Sequence, residues 1–110
     1  METFEHINRI ELQGRVGTVR TNEYNDSKVV NFSLITEILY KNREGAPAFD
    51  SMWHNIVYWP GKNQEIAEKI VKGAPLNVVG RLRENKYTAA DGTEKHFLEV
   101  LAANVKILQV

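Results

Sequence analysis

Apolar and polar residues alternate at every second position through much of this chain, and only one stretch carries the three-and-four spacing of a helix. Alternation with a period of two is the signature of a strand with one dry and one wet face. From Ile7 to Val16, the residues Ile10, Leu12, Gly14 and Val16 alternate with Arg9, Glu11, Gln13 and Arg15. From Lys28 to Tyr40, the even positions Val30, Phe32, Leu34, Ile38 and Tyr40 are apolar apart from Thr36, and Asn31, Ser33 and Glu37 lie opposite. Gly14 with Gly17 reads as a turn signal, and Lys41 to Ser51, with Gly45 and Pro47, as a loop.

A third strand is expected over Met52 to Trp59, closed by Pro60-Gly61. Asn63 to Lys72 then places Ile66, Ala67, Ile70 and Val71 on one stripe, with Glu65–Lys69 and Glu68–Lys72 as favourable pairs on the wet side and Gly73 and Pro75 as the stop. Leu76 to Tyr87 reads as strand four, Ala90-Asp91-Gly92 as a tight turn, and Lys95 to Leu101 as strand five. Three strands, one helix and two strands fit an all-β fold with one helix, the five-stranded Greek-key barrel of the OB type. No linker or repeat divides the 110 residues, so one domain is expected, with its core between about residues 7 and 108.

Composition narrows the chemistry. With no cysteine there is no disulfide, thiolate metal site or thiol nucleophile. His6, His54 and His96 are far apart in sequence, the serines lack a nucleophile elbow, and the acidic residues show no two-metal pairing. No metal, no cofactor and no enzymatic activity are therefore expected. The start, Met1-Glu2-Thr3-Phe4-Glu5, is acidic where a secretion signal would be basic, and no apolar run approaches the ~20 residues of a membrane span. A cytoplasmic protein without a membrane partner is expected. Fourteen basic and fourteen acidic residues cancel, so any polyanion site has to come from local arrangement.

Parity supplies such an arrangement. Trp53, Asn55, Val57 and Trp59 share one side of strand three; Asn77, Val79, Arg81, Arg83, Asn85 and Tyr87 share the non-core side of strand four. Flat rings accept any base by stacking, and guanidinium groups beside them pair with phosphate. Lys28, Lys41, Arg43, Lys62, Lys86 and Lys95 fall near strand ends and loops, where cations can follow a phosphate backbone.

Asn8-Arg9-Ile10-Glu11-Leu12-Gln13-Gly14-Arg15-Val16-Gly17, Trp53-His54-Asn55-Ile56-Val57-Tyr58-Trp59, Gly61-Lys62, Lys72-Gly73 and Val79-Gly80-Arg81-Leu82-Arg83 resemble, in order and spacing, the bacterial single-stranded DNA-binding proteins. The resemblance runs from about Asn8 to Leu108. It implies an OB-fold that wraps single-stranded DNA with little sequence preference in replication, recombination and repair. It also implies a homotetramer, usually a dimer of dimers. Base-stacking positions carry over to Tyr40, Trp53, Trp59 and Tyr87, with Tyr standing at 40 and 87 where Trp is commoner. Arg15, Lys28, Lys41, Arg43, Lys62, Arg81, Arg83 and Lys86 are the basic residues expected at DNA. His54 falls at a subunit contact, and the first strand, with Ile7 and Arg9, is expected to pair across a dimer. Family members continue into an acidic tail that recruits enzymes; this sequence stops at Gln109-Val110, so such recruitment is not expected. A dimeric OB-fold primosomal replication-restart protein and a protein-interaction module that binds no DNA are the competing readings.

Overall fold

The computed structural model describes residues 3–109. Five strands and one helix follow one another as β1 (Ile10–Tyr24), β2 (Ser27–Lys41), β3 (Pro47–Tyr58), α1 (Gln64–Lys69), β4 (Pro75–Thr88) and β5 (Glu94–Ile107). The strands close into a barrel in the order β1-β2-β3-β5-β4, antiparallel except where Ile56, Val57 and Tyr58 of β3 run parallel to Val100, Leu101 and Ala102 of β5. Architecture and element order match the reading of the sequence.

The strands are longer than the alternation suggested. β1 starts at Ile10, three residues late, but runs on to Tyr24 and turns into β2 through Asn25 and Asp26. Both of these have positive φ, 48° and 67°, the mirror-image turn whose twist suits a two-residue hairpin. The expected loop from Lys41 to Ser51 contracts because Pro47–Ser51 pair with Glu37–Lys41. Asn42 closes what remains, its Oδ1 accepting the amides of Glu44 and Ala46 at 2.9 and 3.0 Å. β5 absorbs the apolar run that includes Val105 and Ile107.

The helix is shorter than expected. Asn63 offers no side-chain cap, Ile70 already has extended backbone, and Val71 and Lys72 lie beyond the last turn. Val71 is exposed, not on the dry stripe, and neither Glu65–Lys69 nor Glu68–Lys72 forms an ion pair among the described residues. The chain leaves the helix early because Gly73 N–H donates to Val16 O at 2.8 Å, while Val16 N–H donates to Ala74 O at 3.0 Å. These bonds fasten the helix exit to the point where β1 passes from β4 to β2.

Gly14 and Gly17 form no turn; both lie inside β1. A Cβ on Gly14 would overlap the carbonyl of Ile35, and one on Gly17 would overlap the Trp53 ring. They are glycine because neighbouring groups occupy the space of a side chain. Within the barrel, Val16, Leu34, Ile56, Leu76, Val78 and Val105 form the dry centre, and Ile70 plugs one end from the helix exit. Each such side chain contributes about 1.5–3 kcal/mol by leaving water. Asn8 extends the β1–β4 ladder with its side chain: Nδ2 donates to Leu82 O at 2.7 Å, and Oδ1 accepts the Leu82 amide at 2.9 Å.

Candidate nucleic-acid interface

Strand register decides which side chains meet. Paired residues share a face, so Arg15, Ile35 and Trp53 form one row across β1, β2 and β3, and Arg20, Asn31 and Val57 another. The parallel pairing carries the second row on through Leu101 to Arg81. Arg83 lies opposite Glu99, Asn85 opposite Phe97 and Tyr87 opposite Lys95 on the same outward side. A groove of about 650 Å³ runs over this face, with Asn31, Ser33, Asn55 and Val57 among its lining, and a second hollow of about 300 Å³ continues it to Trp59 and Tyr24. Val29 and Val57 are buried here without joining the core cluster, forming an apolar floor to the groove.

Rings border the groove. Trp53 is 59% exposed and Trp59 47% exposed, as free surfaces for stacking require. The Tyr24 and Trp59 rings pack with centroids 6.2 Å apart, and those of Tyr87 and Phe97 with centroids 5.9 Å apart. The sequence reading missed Tyr24, Arg20, Asn31 and Phe97. Asn25-Asp26 is the signal that could have carried β1 to Tyr24, because a turn there puts Tyr24 opposite Ser27.

Register brings Trp53, Tyr87, Arg15, Arg81 and Arg83 to the groove side, along with Lys41 at the tip of the β2–β3 ribbon, and Trp59, just past the end of β3, lines the hollow. Tyr40 pairs with Ala48, on the opposite side of that ribbon from Trp53; Leu39 and Phe49 occupy Trp53's side. Lys28 and Lys86 have the parity of the reverse side, and Arg43 and Lys62 stand in connecting segments. Two of the arginines are already engaged. Arg15 Nη1 donates to Gly73 O at 2.9 Å, and Arg83 grips Glu99 at 2.6 Å through Nη2 and 3.0 Å through Nε. Arg81 and Lys41 are exposed and form no ion pair among the described residues.

His54 is half-buried and shares a 2.9 Å hydrogen bond with Thr36 Oγ1. Burial holds its pKa below the ordinary 6.5. A folded-state value below the unfolded one means that the neutral ring's stabilisation is complete above 6.5 and is lost as pH falls through the folded-state value. Denaturant midpoints measured between about pH 7 and 5 should therefore fall more steeply for the unaltered chain than for His54→Gln; parallel curves would remove His54 from the pH response. Ile7 and Arg9 are exposed in the segment before β1. From Ile10 to Gly14, β1 pairs with β4 alone, leaving its other edge without a strand neighbour among the described residues.

No group of His, Asp and Glu among the described residues could hold a metal ion, and no helix is long and apolar enough to cross a membrane. Comparison with known proteins gives a consistent result. The profile of the Single-strand binding protein family matches residues 7–108. The single-stranded DNA-binding protein of Xanthomonas campestris is 35% identical over 105 residues, 93% of this chain and 60% of that protein. That of Neisseria meningitidis is 29% identical over 93% of this chain and 60% of its own length. This chain thus spans about three fifths of such relatives. Among solved structures, the Plasmodium falciparum SSB complex with ssDNA superposes with a TM-score of 0.83 at 26% identity, over 98% of this chain and 100% of that one. A deletion mutant of the Thermus aquaticus single-stranded DNA binding protein shares the fold at a TM-score of 0.76 and 19% identity, over 94% of this chain and 51% of that one. With the barrel, the bordering rings and a profile match over nearly its whole length, this chain belongs to the single-strand binding protein family.

Proposed function

We propose that this chain binds and protects single-stranded DNA in replication, recombination and repair, without chemistry of its own. The observation that carries the reading is an apolar-floored groove lined by exposed Trp59, with exposed Trp53 on the same face of β3. Bases freed from pairing bring flat faces to the rings, and the phosphates run past Arg81, Arg20, Lys41 at the ribbon tip and the loop cations Arg43 and Lys62. Tyr87, beside Phe97, extends the stacking surface along β4 and β5. Tyr40, Lys28 and Lys86 serve a strand that passes around the ribbon and arm to their reverse sides. Arg15 and Arg83, held by Gly73 and Glu99, are fixed supports for the same path. Stacking and phosphate neutralisation both act on any sequence, so binding tolerates sequence and weakens with salt. The DNA-bound Plasmodium falciparum relative supports the reading.

Self-association is part of the proposal. The open β1 edge at Ile10–Gly14 is a pairing surface for a second copy, with Ile7, Arg9 and His54 at the contacts and a homotetramer as the assembled form. Cytoplasmic residence follows from the DNA partner.

Titration with oligo-dT should quench tryptophan fluorescence at low salt, with log K falling against log salt at a slope of about −2 to −3 if three or four phosphates are neutralised. Absence of quenching at low salt overturns the reading and favours a protein-interaction module. Light-scattering mass should give four protomers; two would favour the dimeric restart protein.

A further inference from the structure

Glu99 is out of place in a groove built for a polyanion. Its side chain is only 6% exposed, it stands on the outward side of β5, and it lines both the main groove and the hollow beside Trp59. A nearly buried carboxylate is costly unless donors compensate it, and here they converge on one oxygen. Oε1 accepts Arg83 Nε at 3.0 Å, Arg83 Nη2 at 2.6 Å and Asn85 Nδ2 at 2.7 Å. Oε2 accepts no hydrogen bond among the described residues, yet no buried side-chain oxygen or nitrogen there lacks a partner, so Oε2 reaches the groove. Arg83 and Asn85 therefore fix the carboxylate with one oxygen spent and the other presented.

A phosphate would be repelled by that oxygen; a base edge with an amino group would not. Resting on the reading of the groove as a single-stranded DNA site, we infer that Glu99 Oε2 accepts a hydrogen bond from the N4 amino group of a cytosine whose ring stacks beside Trp59. Carboxylates accept from cytosine N4, whereas thymine presents the O4 acceptor at the same place, setting lone pair against lone pair. A fixed polar group left unpaired by the wrong ligand discriminates more strongly than a missing apolar contact. Glu99 thus lays a preference for cytosine over thymine, at one subsite, upon binding that otherwise tolerates any base.

The test is fluorescence titration of the unaltered protein and Glu99→Gln with oligo-dC and oligo-dT at one salt concentration. In the variant, Arg83 and Asn85 keep the acceptor oxygen in the Oε1 position, so the amide N–H₂ takes the place of Oε2 and donates to thymine O4. The ratio of oligo-dC to oligo-dT affinity should fall by roughly fivefold or more. If Glu99 only holds Arg83 in place, both affinities change together; an unchanged ratio overturns the inference. A 2-pyrimidinone oligomer keeps the cytosine ring but lacks the amino group, and covers the case in which the variant does not fold. It should bind the unaltered protein several-fold more weakly than oligo-dC, and equal binding overturns the inference. Failure of every oligomer to bind would instead reject the DNA-binding reading itself.

Discussion

Replacing Trp53 and Trp59 together with alanine is expected to weaken oligo-dT binding by on the order of a hundredfold or more while the barrel still folds. Each base stacked on a ring contributes about 1–3 kcal/mol, so two lost platforms remove about 2–6 kcal/mol. The fold loses much less. Both rings are about half exposed, and neither belongs to the cluster of Val16, Leu34, Ile56 and Leu76 that closes the barrel. The readouts are anisotropy with a labelled oligo-dT, since both tryptophans are gone, and a thermal melt by circular dichroism. Affinity retained with an unchanged melt would place DNA on another face. A lost melt would assign the tryptophans to the core, against their exposure.

Gly14→Ala has the opposite signature. Its added methyl would fall on the Ile35 carbonyl, with the carbonyl carbon at 2.9 Å and Thr36 Cα at 3.5 Å, so only a backbone shift can relieve the overlap. Overpacking against backbone costs about 3 kcal/mol, a large share of the roughly 5–15 kcal/mol that holds a domain together. A fall in Tm of roughly 10 °C or more is expected in a differential scan. An unchanged Tm would mean that β1 and β2 are not held this closely where β1 crosses from β4 to β2.

The two experiments separate what positions the site from what touches the ligand. Gly14 lets β1 pair with both β4 and β2, and the residues of β1 beyond it deliver Arg20 and Tyr24 to the groove. Neither tryptophan belongs to the core cluster, and about half of each ring is left exposed, although Trp53 also packs over Gly17 of β1. Zero formal net charge is compatible with a polyanion site on this face, because Arg20, Lys41 and Arg81 lie on the groove side while Glu84 and Glu94 have the parity of the reverse side.

Much of this was legible in one dimension. Period-two alternation in Ile10–Val16 and Val30–Leu34 reports a face that must be dry, and a face is a local property, so those segments could be assigned without knowing their neighbours. Asp91-Gly92 marked its hairpin for the same reason: Asp91 Oδ1 accepts the Thr93 amide at 3.0 Å, a contact between residues two apart. Alternation failed where strands project past the barrel. Strand two was legible as far as Tyr40, but on the returning arm Phe49 and Asp50 are both exposed, so neither face of Pro47–Ser51 is dry and no pattern there distinguishes strand from loop. Arg20–Tyr24 likewise lacks a dry face, and its strand character shows in pairing with Ser27–Asn31 and, within the sequence, in the Asn25-Asp26 turn alone.

Local pattern alone was enough for the order of elements, which narrows the fold to a small barrel, and for the outward parity of Trp53, Arg81, Arg83 and Tyr87, because each depends on residues within a few positions of one another. Tertiary structure alone decided that Tyr24 joins Trp59, that Tyr40 faces away from Trp53, that Gly14 and Gly17 are close approaches and not a turn, and that Arg83 is held by Glu99. Those are relations between strands, fixed by register, and a shift of one residue in any pairing would exchange the faces without altering a letter of the pattern.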